Sequence, residues 1–283
     1  MRRTFDRLLT LLTGACATFA VCIFLVIVAA VVWRGGSEVS WRFLTEQIRL
    51  VGAAGGVFYN IIGTLILLAT ALVVSTPLAF GIALTHGVYM RDPRRRERLM
   101  VMLHVINGVP SILFGLFGLI VFVLFLGWGK SWLTGGILLG MMMLPTVAVA
   151  LTERIRALPG KYLEAAAGLG LSQSQIVWSV ILPQSFGGWI TGSLLGLARA
   201  AGETAPIMFS ATIFAGATWP RGIKESPVLS LPYHIFILAQ DSFDPAAGAK
   251  LWGAALVLLL LVFSLSLIAL PLRLRLHEEA NHD

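Results

Sequence analysis

Residues 133–151 read LTGGILLGMMMLPTVAVAL, a run with no charged side chain, and residues 152–184, which follow directly, read TERIRALPGKYLEAAAGLGLSQSQIVWSVILPQ. A helix rises about 1.5 Å per residue and a bilayer's hydrocarbon layer is about 30 Å thick, so some 20 apolar residues cross it. The first run meets that length. The second contains Lys161, Glu164, Ser172, Gln173, Ser174 and Gln175 and does not. A span followed by a long aqueous segment is therefore the local pattern, and working outward repeats the span. Upstream, residues 8–33, 57–84 and 99–126 are free of charge; downstream, 187–213 and 251–270 are long and apolar. The expectation is an all-α membrane protein with six transmembrane helices in one domain over residues 1–283. Pro77 is expected to kink the second span and Pro183 to stop a helix, because proline lacks an N–H and clashes with the preceding turn. Residues 229–240 are apolar but too short to cross, which points to a surface or re-entrant helix.

Composition supports the same class. Hydrophobic residues make up 57% and charged residues 12%, with a mean hydropathy of +0.86, whereas soluble domains carry roughly 25% charged residues. Barrel strands alternate polar and apolar over about ten residues, and no segment here does. The net charge of +7 comes from basic residues between apolar segments, without a groove of interleaved aromatics, so nucleic acid is not a partner. Cys16 and Cys22, the two cysteines, both lie in the first apolar run, which excludes a disulfide framework. Thr13 stands where a lipoprotein cleavage site wants leucine, and the apolar run continues to Trp33. The first run therefore reads as an uncleaved helix, preceded by Arg2, Arg3 and Arg7.

Six spans place both termini on one side. That side receives 13 Lys and Arg residues, the other receives 7, and Arg199 lies within a span. The bias orients both termini to the cytoplasm by the positive-inside rule. Gly188, Gly192, Gly196 and Ala200 repeat at i, i+4 in the fifth span. Such a stripe lets helices approach closely, either within the bundle or between subunits.

The polar stretch has its own local logic. Tyr162 to Leu169 is rich in good helix formers. Gly170 can end that helix in a left-handed conformation. Ser172 with Gln175 three residues on makes a capping box for a second helix over 173–182. Two short helices joined by a sharp bend form a knob. The stretch also contains Glu164, Ala165, Ala166, then Gly170, Val180, Leu182 and Pro183 at fixed spacing. This spacing resembles the EAA motif of the permeases of ABC importers, with valine at 180 where that motif has isoleucine. The resemblance implies the type I importer permease fold. It also implies that the knob docks on an ATPase subunit in the cytoplasm.

The chain has no phosphate-cradling Walker motif of its own. Gly129-Lys130-Ser131 ends like one, but Leu124 occupies the position of the first glycine. No cofactor is expected in this chain, and ATP belongs to a partner. The histidines His86, His104, His234, His277 and His282 lack metal-ligand spacing, and no catalytic triad is evident, so no enzyme activity is expected.

Arg199-Ala200-Ala201-Gly202-Glu203-Thr204-Ala205-Pro206, Pro110-Ser111-Ile112-Leu113-Phe114-Gly115-Leu116 and Gly63-Thr64-Leu65 together resemble phosphate-specific ABC permeases over about residues 57–270. Within them the PstA-type subunit is the better match. The resemblance implies a channel-forming subunit of a phosphate importer in the bacterial cytoplasmic membrane. Its implied partners are a homologous permease forming a heterodimer, two copies of an ATPase and an extracytoplasmic phosphate-binding protein. Arg199 and Glu203 are the charged residues inside the six spans, spaced i, i+4, and are expected to line the substrate path. Arginine offers a planar fork of donors that suits phosphate oxygens. A permease for another solute, such as molybdate, would carry the same EAA motif. A secondary carrier would instead show inverted repeats or paired broken helices, and no convincing pair is visible in the sequence.

Overall fold

The computed structural model describes residues 2–49, 52, 54–216, 219–240 and 244–281, with side chains placed between Leu9 and Ile268. The chain begins with α1 (Arg2–Gly36), a short α2 (Trp41–Thr45) and a small antiparallel pair, β1 (Ile48–Arg49) with β2 (Ala54–Gly55). Next comes α3 (Phe58–Leu84), which holds Pro77 in its interior and runs on into a π-turn, Thr85–Tyr89. There follow α4 (Pro93–Asn107), α5 (Ser111–Gly118) with its π-turn extension Leu119–Phe125, and α6 (Trp132–Arg156). Short helices α7 (Gly160–Gly168) and α8 (Gln173–Ile176) lead into α9 (Leu182–Ala201), α10 (Ala205–Ser210), α11 (Leu231–Gln240) and α12 (Pro245–Asn281). Four of these segments are long and apolar enough to cross a membrane: Leu9–Gly36, Phe58–Tyr89, Trp132–Arg156 and Pro245–Ile268. The bent pair Pro93–Asn107 and Ser111–Phe125 counts as a fifth if taken together.

Three sequence expectations need correction. The run at 99–126 is not one straight helix: α4 and α5 meet at 85°. Pro110 removes a backbone donor and forces Val109 out of the helical region, so the helix must end before it. The run at 187–213 is also interrupted. Helix α9 ends at Ala201, where Gly202 N donates to Arg199 O (3.1 Å) and Glu203 N to Ala200 O (3.2 Å), and α10 begins only at Ala205 with Pro206 in its first turn. Pro183, finally, does not stop a helix. A π-turn at Val177–Ile181 joins α8 to α9, and Pro183 lies in the first turn of α9. A proline there lacks a donor that a helix start does not require, and the widened turn accommodates the change of register.

Helix α6 forms the centre, with α3 on one side and α9 on the other. Its Leu138, Leu139, Met143, Val147 and Leu151 are fully buried. In lipid, helices gain little from leaving an already apolar solvent, so close packing must hold them. The glycine stripe of α9 does this within the chain. Cβ atoms at Gly188 and Gly192 would lie 2.5 Å from Arg154 Cβ and 2.8 Å from Ala150 Cβ, both on α6. The stripe is therefore a bundle contact. By contrast α1 packs chiefly along α12 and leaves most of its length exposed, including Cys16 and Cys22.

The segment leading to α11 crosses directly over α3. A Cβ at Gly63 would sit 1.9 Å from Leu229 O, so only glycine admits the crossing. Thr64 Oγ1 then accepts from Leu231 N at 2.9 Å, and Asn60 Nδ2 donates to Ser230 O at 3.2 Å. Lys130 fastens the same end of the bundle, donating to Met208 O and Thr212 O at 3.0 and 3.3 Å. Burial holds its ammonium below the ordinary lysine range.

Candidate functional site

The two helix breaks come together. Asn107 closes α4, Arg199 lies in the last turn of α9, and Glu203 lies between α9 and α10. The guanidinium of Arg199 spans all three elements. Its Nη1 donates to Asn107 Oδ1, its Nη2 to Asn107 O at 3.4 Å, and its Nε faces Glu203 Oε1 at 3.7 Å. Helices α5 and α10 pack beside the breaks, where a Cβ at Gly115 would meet Ala205 O at 2.6 Å. The expected Arg199–Glu203 pairing is present, but its setting differs. The pair sits at a helix end, not in the middle of a span, because Gly202 and Pro206 terminate the helix there.

This setting matters for what the site can do. A helix break frees backbone carbonyls and amides at membrane depth, which is tolerated only against protein or a water-filled cavity. Arg199 keeps 36% of its side chain exposed and Glu203 keeps 19%. On the flanking helices, Ile112, Leu113 and Leu116 of α5 and Leu195 of α9, one turn before Arg199, are exposed and apolar. The charged group thus opens on an apolar face, tethered by one neutral amide and one carboxylate. An anion arriving at that face can displace the carboxylate and claim the guanidinium's donors, since a planar fork matches two oxygens at once. Asn107 was not identified from sequence. The available signal was the Asn-Gly-Val-Pro run at 107–110, a helix-ending pattern inside an apolar stretch.

The EAA residues lie elsewhere. Glu164, Ala165 and Ala166 are on α7, with Ala166 buried and the other two exposed. Gly170 takes φ +77° in the turn, and Leu169 N, Gly170 N and Leu171 N donate to Ala165 O, Ala167 O and Ala166 O. The capping box forms as expected: Ser172 Oγ accepts from Gln175 N, and Gln175 Oε1 accepts from Ser172 N at 2.8 Å. Val180 and Leu182 are half-buried at the π-turn, and Pro183 is exposed. Leu169 and Trp178 add large apolar side chains to the exposed surface of this knob, at 82% and 73% exposure. The sequence reading passed over both because single apolar residues in a polar stretch carry no periodicity.

Residues 75–276 match the family described as binding-protein-dependent transport system inner membrane component. The chain is 34% identical over 227 residues to the phosphate transport system permease protein PstA of Xylella fastidiosa (strain 9a5c), covering 78% of this chain and 76% of that protein. It is 30% identical over 280 residues to the probable phosphate transport system permease protein PstA of Methanocaldococcus jannaschii, covering 99% and 96%. It is 28% identical over 281 residues to the probable ABC transporter permease protein YqgI of Bacillus subtilis (strain 168), covering 94% of each. Among solved structures, an inward-facing MetNI methionine ABC transporter chain superposes with a TM-score of 0.58 at 15% identity, covering 78% of this chain and 94% of that one.

Proposed function

This chain belongs to the family of binding-protein-dependent transport system inner membrane components, and on that premise we propose that it is the channel-forming permease subunit of an ATP-driven importer of inorganic phosphate. The observation that carries the reading is Arg199, held between Asn107 and Glu203 where two helix breaks meet. A cation held among apolar helices is costly even beside one carboxylate, with about 2.5–3.5 kcal/mol, the value at a helix centre on insertion scales, as the upper bound. A permeant anion offsets that cost and is offset by it. Relatives whose names specify phosphate transport support the choice of anion.

In this reading the resting site is neutralised by Glu203 and steadied by Asn107. Phosphate exchanges with Glu203 on the guanidinium, and the carboxylate's return assists release. The chain crosses the bacterial cytoplasmic membrane six times: α1, α3, the α4–α5 pair, α6, α9 with α10, and α12. Both termini, residues 91–98 and residues 153–184 face the cytoplasm; residues 216–249 face outside. The knob built on Glu164, Ala165, Ala166 and Gly170 docks on one of two ATPase subunits, which bind and hydrolyse ATP. A homologous permease covers the apolar face around Arg199, and an extracytoplasmic phosphate-binding protein delivers substrate.

The test is phosphate uptake by cells or proteoliposomes, with complex yield measured alongside. Arg199→Ala removes two hydrogen bonds to a charged ligand, each worth about 1.5–3 kcal/mol, so uptake should fall about a hundredfold or more. Arg199→Lys should recover little, because a point charge lacks the fork. Wild-type uptake by a normally assembled Arg199→Ala protein would exclude Arg199 from the path.

A further inference from the structure

The bundle end that carries residues 91–98 and the knob has a basic cavity, distant in sequence from Arg199 and unused by the reading above. It measures about 390 Å³ and is lined by His86, Pro93, Arg96, Glu97, Met100 and Arg156. That volume lies in the range of small-ligand sites, about 300–1,000 Å³. Three elements converge on it: the π-turn after α3, the first turns of α4, and the last turn of α6.

His86 is, among the described residues, one of five with a buried polar side-chain atom that lacks a partner, and the one of them on this cavity's lining. It is 98% buried, at 2% relative exposure, yet its Nδ1 has no hydrogen-bond partner. Buried polar atoms almost always find one; Nδ1 itself lies beneath the wall with no accessible surface, so a ligand in the cavity would meet the imidazole at its other edge. The backbone around it is also specialised. His86 lies in a π-turn, a feature frequent at functional sites. Gly87 lets this turn press on Ile155 of α6, where a Cβ would come within 2.7 Å of Ile155 Cγ2. The two arginines are only partly engaged. Arg96 Nε donates to Met90 O at 2.6 Å, which fixes the side chain, and among the described residues its terminal nitrogens have no partner. Arg156 makes one 3.5 Å contact with Glu153, a pair more than half exposed on both sides and so weakly held. Glu97 is the one acid on the wall. Arg91, Arg94, Arg95 and Arg98 lie close by in sequence and tilt the local field further towards anions. The amino end of α4 is already capped by the Asp92 carboxylate, which accepts from Arg94 N and faces Arg95, so it adds nothing to the cavity's pull on anions.

We propose that this cavity binds a phosphate group, with Arg96 and Arg156 as its charge-bearing donors and the imidazole of His86 as a third partner. Two sources share that chemistry. One is the headgroup of an anionic phospholipid, since basic pockets between helices near a membrane surface recognise such headgroups. The other is free inorganic phosphate. Occupancy of either kind would brace α4 against α3 and α6 at the end of the bundle that bears the knob. The proposal does not depend on what passes Arg199.

The experiment uses the full chain, purified with the subunits that accompany it, in two arms. In the first, native mass spectrometry counts phosphatidylglycerol retained from nanodiscs of phosphatidylcholine with phosphatidylglycerol. In the second, equilibrium dialysis with radiolabelled inorganic phosphate is run in detergent free of anionic lipid, on a background carrying Arg199→Ala so that the translocation path contributes nothing. The variants are Arg96→Gln with Arg156→Gln, Arg156→Gln alone (which leaves the Arg96–Met90 tie intact), and His86→Gln. The control is Arg91→Gln with Arg94→Gln, which removes equal charge from outside the cavity wall. At least a tenfold loss of retention is expected for the double variant in one arm, with a smaller loss for Arg156→Gln and for His86→Gln, and little change in the control. Loss confined to the lipid arm assigns the headgroup; loss confined to the dialysis arm assigns free phosphate. Equal retention by wild type and Arg156→Gln in both arms, or an equal loss in the control, would overturn the proposal.

Discussion

Replacing Asn107 by aspartate tests the tether on Arg199 without removing any cation. The wild-type contact is a neutral amide oxygen and a backbone carbonyl bonded to the guanidinium. Asn107→Asp keeps the shape and substitutes a carboxylate, so Arg199 is held by two acids, one on either side. Two unit charges about 4 Å apart at an effective dielectric of about 20 attract by about 4 kcal/mol. Arg199 is about one-third exposed, so solvent screening leaves roughly 1–2 kcal/mol of that. If phosphate exchanges with Glu203 on Arg199 as proposed, it must displace a partner stronger by that amount, and the maximal uptake rate should fall about tenfold. Asn107→Ala works in the opposite sense: it frees the guanidinium, leaves Glu203 in place, and should change the rate by no more than about threefold. The assay is uptake at saturating phosphate, where affinity for an extracytoplasmic binding protein no longer limits the rate, with complex yield as control. The competition account is refuted if Asn107→Asp assembles normally and transports at the wild-type rate, or if Asn107→Ala loses as much as Asn107→Asp.

Gly63→Ala places a methyl group against Leu229 O and should destabilise the chain by about 1–3 kcal/mol, read as a lowered Tm in detergent; Thr64→Val, which removes the acceptor for Leu231 N, should do the same through a lost buried hydrogen bond. Gly170→Asp forces a side chain into a backbone with φ +77° but meets no neighbouring atom within 4 Å, so uptake should fall while membrane insertion stays normal; unchanged uptake would free this turn from any role in coupling. For orientation, single cysteines replacing Ser174 and Lys224, in a background lacking Cys16 and Cys22, should react with an impermeant reagent from opposite sides. Both positions are exposed, whereas Ser226 is buried and bonded to Arg221 N and would report poorly. His234 in α11 has its pKa lowered from 6.5 to about 4 by burial, so below pH 6.5 the unfolded chain binds the extra proton. Stability should therefore be complete above pH 6.5 and decline by up to about 3 kcal/mol as pH falls towards 4, a slope that His234→Phe should flatten in pH-dependent melting curves.

How much of this was legible beforehand depended on whether a residue acts locally or across the fold. The turn at Gly170 and the capping box at Ser172 and Gln175 involve neighbours within a few positions, and both formed as read. The apolar runs were equally plain, because bilayer thickness imposes a length that composition alone can meet. The breaks were harder. A hydropathy window sees 99–126 and 187–213 as continuous, yet Pro110 in one and Gly202 with Pro206 in the other interrupt the backbone. Pro77 and Pro183 are the same residue type, and neither ends its helix. Pro77 lies inside a long helix held along its length by α6, and Pro183 follows a π-turn; local propensity cannot distinguish these settings.

The site depends on the same distinction. Arg199 and Glu203 were identifiable as charges in apolar surroundings, and their spacing of four residues made their contact expected. Asn107 stands 92 positions from Arg199, and no spacing rule connects them. Gly63 and Thr64 make the same point within the scaffold. As residues in an apolar run they look like ordinary small members of a helix, and only the crossing at Leu229 to Leu231 gives each a task. That crossing also bears on the site. Val228 exchanges backbone hydrogen bonds with Ala211 and Ile213, just beyond α10, and Lys130 grips the carbonyls of Met208 and Thr212. The segment tied to α3 through Gly63 and Thr64 is thus the one that fixes the far end of α10, whose near end begins two residues after Glu203. A fault at Gly63 should accordingly lower uptake more than its effect on Tm alone would give, because it loosens the element that places Glu203 opposite Arg199.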